Sequence, residues 1–87
     1  MDKNEKIVLK KTLNVTDLSG EKVMIDFETG KYFMIKGVGN DIWDMLANPI
    51  TPKEIIDKLL SEYDVTPEEC EKSVMNFLAK MRELEFI

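Results

Sequence analysis

The chain has no histidine and a single cysteine, Cys70, among its 87 residues. The first absence removes the commonest general base and metal ligand; the second excludes an intrachain disulfide and any cluster of cysteine zinc ligands. No segment approaches the ~20 consecutive apolar residues that cross a bilayer. The opening residues, Met1 to Lys6, are charged and lack the apolar run of a signal peptide. A cytoplasmic protein without metal or cofactor is expected. There is room for one hydrophobic core and no second.

What is present is an ordinary globular composition, 44% hydrophobic and 33% charged. The net charge of −5 is uneven: Lys3, Lys6, Lys10 and Lys11 against Asp2 and Glu5 leave +2 on residues 1–12 and therefore −7 beyond them. A body with that balance repels a phosphate backbone, so nucleic acid is a poor partner.

The pattern divides near Lys36. Residues 1–12 read as an arm, with Ile7–Leu9 extended or a short strand, and residues 13–87 as the folded domain. Strands are expected over 13–18, 21–28 and 31–36. Ser19-Gly20 supplies the first turn, and Glu28-Thr29-Gly30 a three-residue hairpin loop with Gly30 left-handed. Val23, Ile25 and Phe27 share one face of the second strand; Phe33 and Ile35 share the core face of the third, opposite Tyr32 and Met34.

Beyond Val38 the period is helical, with helices expected over 38–47, 52–63 and 67–84. Thr51-Pro52-Lys53-Glu54 and Thr66-Pro67-Glu68-Glu69 are two start signals of the same kind: a threonine cap, proline in the first turn and an acid to follow. The third helix gathers Cys70, Val74, Phe77, Leu78, Met81 and Leu84 into an apolar arc of roughly 120° at about 100° per residue. Phe86 and Ile87 are placed to close the core. A sheet followed by three helices with short connections is an α+β winged helix-turn-helix layout.

Gly30-Lys31-Tyr32-Phe33-Met34-Ile35, six residues before Ile42-Trp43, resembles the Gly-x-Tyr-Tyr-x-Leu-Asn…Ile-Trp signature of the PqqD-like family. Thr51-Pro52-Lys53-Glu54-Ile55-Ile56…Leu59…Glu62-Tyr63-Asp64-Val65 is similar to its helix-turn segment, and Phe77-Leu78…Leu84 to its closing helix. The resemblance spans about residues 13–87. Two departures stand out: Lys36-Gly37 where the family has a capping asparagine, and Glu85 where it favours glycine.

The resemblance implies a non-catalytic recognition element for the leader of a ribosomally made precursor peptide. The leader would add as an antiparallel strand to the third strand and pack against the third helix. Expected partners are that leader and a modifying enzyme or leader protease, with lasso-peptide maturation one setting. The expected contacts are Lys31, Tyr32, Phe33, Met34, Ile35 and Lys36 on the strand, with Glu71, Met75, Leu78 and Arg82 on the helix. Met75 lies about 60° past Leu78 on the wheel, with Glu71 and Arg82 between them.

Plainer readings stand beside these. Lys31 and Lys36 equally serve as gatekeepers against edge-to-edge aggregation. Met75 equally is a lone exposed apolar residue. Cys70 and Trp43 read as core, and Asp41 with Asp44, one helical turn apart, as solvated charge. Two other functions fit the layout: a DNA-binding winged helix, disfavoured by an acidic third helix, and an interaction or dimerisation domain that pairs its edge strand with a second copy.

Overall fold

The computed structural model describes residues 2–11 and 13–87; Met1, and Thr12 at the end of the expected arm, lie outside them. Strands β1 (Asn14–Leu18), β2 (Glu21–Asp26) and β3 (Lys31–Lys36) precede helices α1 (Val38–Met45), α2 (Pro52–Glu62) and α3 (Pro67–Glu83). The sheet is an antiparallel meander in the order β1-β2-β3, with Met24 opposite Phe33 and Lys22 opposite Ile35. This is the expected α+β winged-helix arrangement.

Each hairpin is set by local chemistry. Ser19 and Gly20 both take positive φ, 43° and 89°, as a two-residue turn matched to strand twist requires. The second hairpin corrects the expected boundary. β2 ends at Asp26, two residues early, and the loop is four residues long, Phe27–Gly30. The Asp26 carboxylate accepts the Glu28 N–H at 3.0 Å and its carbonyl the Gly30 N–H at 2.8 Å. These bonds fold the chain back before the alternation reaches Phe27, which is left 74% exposed. Gly30 takes the left-handed φ of 74°.

Sheet parity decides what is buried. Met24 and Ile35 turn inward with half-buried Phe33, whereas Val23, Ile25, Tyr32 and Met34 occupy the opposite face.

The helix starts follow the threonine signals. Thr51 and Glu54 form a reciprocal capping box with Pro52 in the first turn, and the Thr66 hydroxyl accepts the Glu69 N–H at 3.2 Å. Helix α1 has no side-chain cap at Gly37, in keeping with Lys36-Gly37 standing where the family has a capping asparagine. Instead the Asn40 side-chain amide donates to the Gly20 carbonyl, tying α1 to the first hairpin.

Helix α3 ends in a paired-bond cap. Glu85 adopts φ 64° and donates to Arg82 O at 3.0 Å, and Phe86 donates to Met81 O at 2.9 Å. Glu85 therefore occupies a position whose backbone suits glycine, the residue the resemblance expects near there.

That cap delivers Phe86 into the core, 1% exposed. Its ring centroid lies 5.1 Å from that of Phe33 and 6.5 Å from that of Trp43, both edge-on. The arm joins the same core. Ile7 is 2% exposed and exchanges backbone hydrogen bonds with Ile50, while the Lys10 N–H donates to Phe86 O at 2.7 Å. Lys11 meets the nearly buried Asp26 at 3.2 Å.

Candidate functional site

Strand β3 is the free edge of the sheet on one side, and its alternation determines what that edge offers. The Asp26 carbonyl receives the Gly30 N–H, so Asp26 directs its main chain toward β3, and alternate residues of β2 do likewise. Their partners Lys31, Phe33 and Ile35 face β2 in return. The N–H and C=O groups of Tyr32, Met34 and Lys36 are left on the open edge. A strand laid there pairs with those three residues, and its alternate side chains descend beside Phe33 and Ile35.

Beside that edge runs a groove of about 590 Å³ between β3, α1 and α3. Tyr32, Phe33, Met34, Ile35 and Lys36 form one wall; Lys31, at the hairpin end, is not part of it. Val38, Gly39 and Ile42 contribute from α1, and Ser73, Phe77, Lys80 and Met81 from α3, with Leu84 at its C-terminal end. Gly39 makes the junction possible. A Cβ there would sit 2.8 Å from an Ile35 methyl and 3.2 Å from the Phe77 ring, so the absence of a side chain lets the three elements meet.

The structure does not bring the four expected helix residues to this groove. Glu71, Met75 and Arg82 do not line the groove, and Leu78 is wholly buried. The apolar arc of α3 has two shoulders: Glu71, Met75 and Arg82 on one, Ser73 and Lys80 on the other. The arm occupies the first, with Lys3 paired to Glu71 and Glu5 accepting from Arg82 at 3.3 Å. The second faces β3. Periodicity locates an arc but not which shoulder meets the strand. The signals that could have chosen were the opposite charges of Lys3 and Glu5 against Glu71 and Arg82, and Phe77 flanked by Ser73 and Lys80.

Electrostatics favour an acidic guest despite the overall negative charge. Among the described residues lining the groove, the charged ones are Lys36 and Lys80. Other polar candidates are already engaged. Asp41 accepts from the Tyr63 hydroxyl and Asp44 pairs with Lys22 at 3.3 Å, so the two acids have separate structural partners. Burial pushes the Cys70 thiol up, away from the reactive thiolate. Among the described residues no cluster of three metal-ligating side chains occurs, and no helix is long and apolar enough to cross a membrane.

A winged-helix domain with an open strand edge above a lysine-flanked apolar groove is built to receive an extended peptide. The chain belongs to the PqqD family: the model of coenzyme PQQ synthesis protein D matches residues 21–87. Among solved structures it is similar to TbiB1, determined in complex with the TbiA(beta) leader peptide. The identity is 28% and the TM-score 0.81, over 92% of this chain and 93% of that one. No curated protein matches the sequence.

Proposed function

We propose that this protein is a binding module, not a catalyst, that holds the leader of a ribosomally made precursor peptide and presents it to a modifying enzyme or leader protease. The observation that carries the reading is the unpaired edge of β3 lying directly along an apolar groove. Family membership and the likeness to a leader-bound protein support it. The leader adds as an antiparallel fourth strand on Tyr32, Met34 and Lys36. Its inward side chains pack on Phe33, Ile35, Phe77 and Met81, and its acidic residues lie near Lys36 and Lys80. A lasso-peptide pathway is one setting that fits.

Met34→Pro tests the docking mode. Because the Met34 N–H faces away from β2, proline leaves the ladder intact, and edge strands tolerate it. The variant loses one intermolecular hydrogen bond and strands its acceptor on the peptide. At about 1–3 kcal/mol for an unsatisfied group, affinity falls roughly 5- to 150-fold. The assay is titration calorimetry with an extended peptide selected on the whole protein from a displayed library. Circular dichroism confirms that the variant is folded; a folded variant with unchanged affinity refutes the mode.

A further inference from the structure

At the end of the groove where β3 gives way to α1 there is a second, smaller cavity of about 160 Å³. It opens between the start of α1, the end of α2 and the turn leading into α3. Leu59 and Cys70 form its buried floor, and Val38, Tyr63 and Val65 its walls. Those three wall residues are each more than a third exposed, so the fold leaves three large apolar side chains, one from the start of α1 and two from the α2–α3 connection, converging on an open hole. A folding core has no use for that arrangement. The cavity adjoins the groove, since Val38 and Ser73 line both.

We propose that this cavity is an anchor subsite for one apolar side chain of the bound peptide, located N-terminal to the stretch that pairs with β3. The inference rests on the strand-addition reading above and adds a position and a chemistry to it. A peptide antiparallel to β3 enters at the Lys36 end and leaves at the Lys31 end. The residues just before its paired stretch therefore pass over Val38, two positions beyond the end of β3. A dry cavity of about 150 Å³ accommodates a benzene ring, so this one takes a side chain from leucine to phenylalanine in size. Glu69 stands among the lining residues and disfavours an acidic guest at this end, whereas Lys36 and Lys80 favour one along the groove. The recognised peptide thus has an apolar anchor first and acidic character after it.

The probe is a displayed library of random 14-residue peptides, selected on the whole immobilised protein. The tightest binder and its single-alanine variants are titrated into the unaltered protein, Val65→Trp and Met34→Pro. Val65→Trp plugs the mouth from an exposed position. The expected result is one apolar position N-terminal to the strand-pairing stretch whose alanine variant binds the unaltered protein roughly tenfold or more weakly. The same alanine change costs nothing further in Val65→Trp. If Met34→Pro weakens binding but no apolar position is coupled to Val65→Trp, the subsite is refuted and strand addition stands. If Met34→Pro changes nothing, both fall. Toluene titration of the unaltered protein, followed by methyl NMR, gives a reading independent of any variant. Movement of the Leu59 and Val65 methyls supports the subsite, and silence there overturns it.

Discussion

Phe86→Ala would show how far the binding edge depends on the last turn of chain. The ring is 1% exposed and wedged edge-on against Phe33 and Trp43. Truncating a buried phenylalanine costs about 3–5 kcal/mol from lost transfer energy and the cavity left behind. A domain of this length has roughly 4–13 kcal/mol in total, so the variant loses a large share of its stability. At about 4–8 °C per kcal/mol, the melting temperature drops by at least ~12 °C. Urea unfolding of the two proteins measures the difference directly. A double-mutant cycle with Phe33→Leu should return about 0.5–1.5 kcal/mol of coupling from the aromatic pair. Loss of less than about 1 kcal/mol in Phe86→Ala would mean that the ring is not packed as described. Peptide affinity measured well below the melting point should also fall, because Phe33 forms part of the groove wall and loses its support.

Two further outcomes follow from local chemistry. Glu85→Gly should raise stability by about 0.5–1 kcal/mol, since the left-handed φ of 64° costs glutamate what glycine adopts freely; an unchanged or lower melting temperature would contradict the cap geometry. Acid should weaken the fold through Asp26. Burial pushes its carboxyl up, but the Glu28 N–H and the Lys11 ammonium outweigh burial and hold it below its ordinary value of 3.8. A lowered folded-state value stabilises above the unfolded one and is lost as pH falls through the folded one. The melting-temperature gap between the unaltered protein and Asp26→Asn should therefore be open at pH 7 and close below pH ~4, and a gap independent of pH would exclude the ionised pair.

Much of this architecture is legible in the sequence because it is locally encoded. Thr51-Pro52 and Thr66-Pro67 begin helices through their own hydroxyls and rings, and Ser19-Gly20 makes its turn from two residues. The misplaced boundary at Phe27 arose where two local rules competed: apolar alternation favoured more strand, but the side chain of Asp26 ended it first. The open edge of β3 was legible because an edge position and alternation together specify which groups are free. The helix face that borders the groove was not. Choosing the Ser73 and Lys80 shoulder over that of Glu71 and Arg82 depends on where the arm lies, roughly seventy residues earlier in the chain. The side cavity is likewise invisible to periodicity, because Val38 meets Tyr63 and Val65 only after the start of α1 packs beside the α2–α3 connection.

The geometry of β3 separates grip from discrimination. The residues that hold out hydrogen bonds, Tyr32, Met34 and Lys36, do so with atoms common to every amino acid, and the side chains of Tyr32 and Met34 stand on the solvent face. In the proposed docking mode, the atoms that judge a guest belong to their neighbours Phe33 and Ile35 and to the opposing helix. Alanine scanning would consequently underrate the strongest handhold on the molecule, and exchange of Phe33 or Phe77 could retune which peptides are accepted without loosening it.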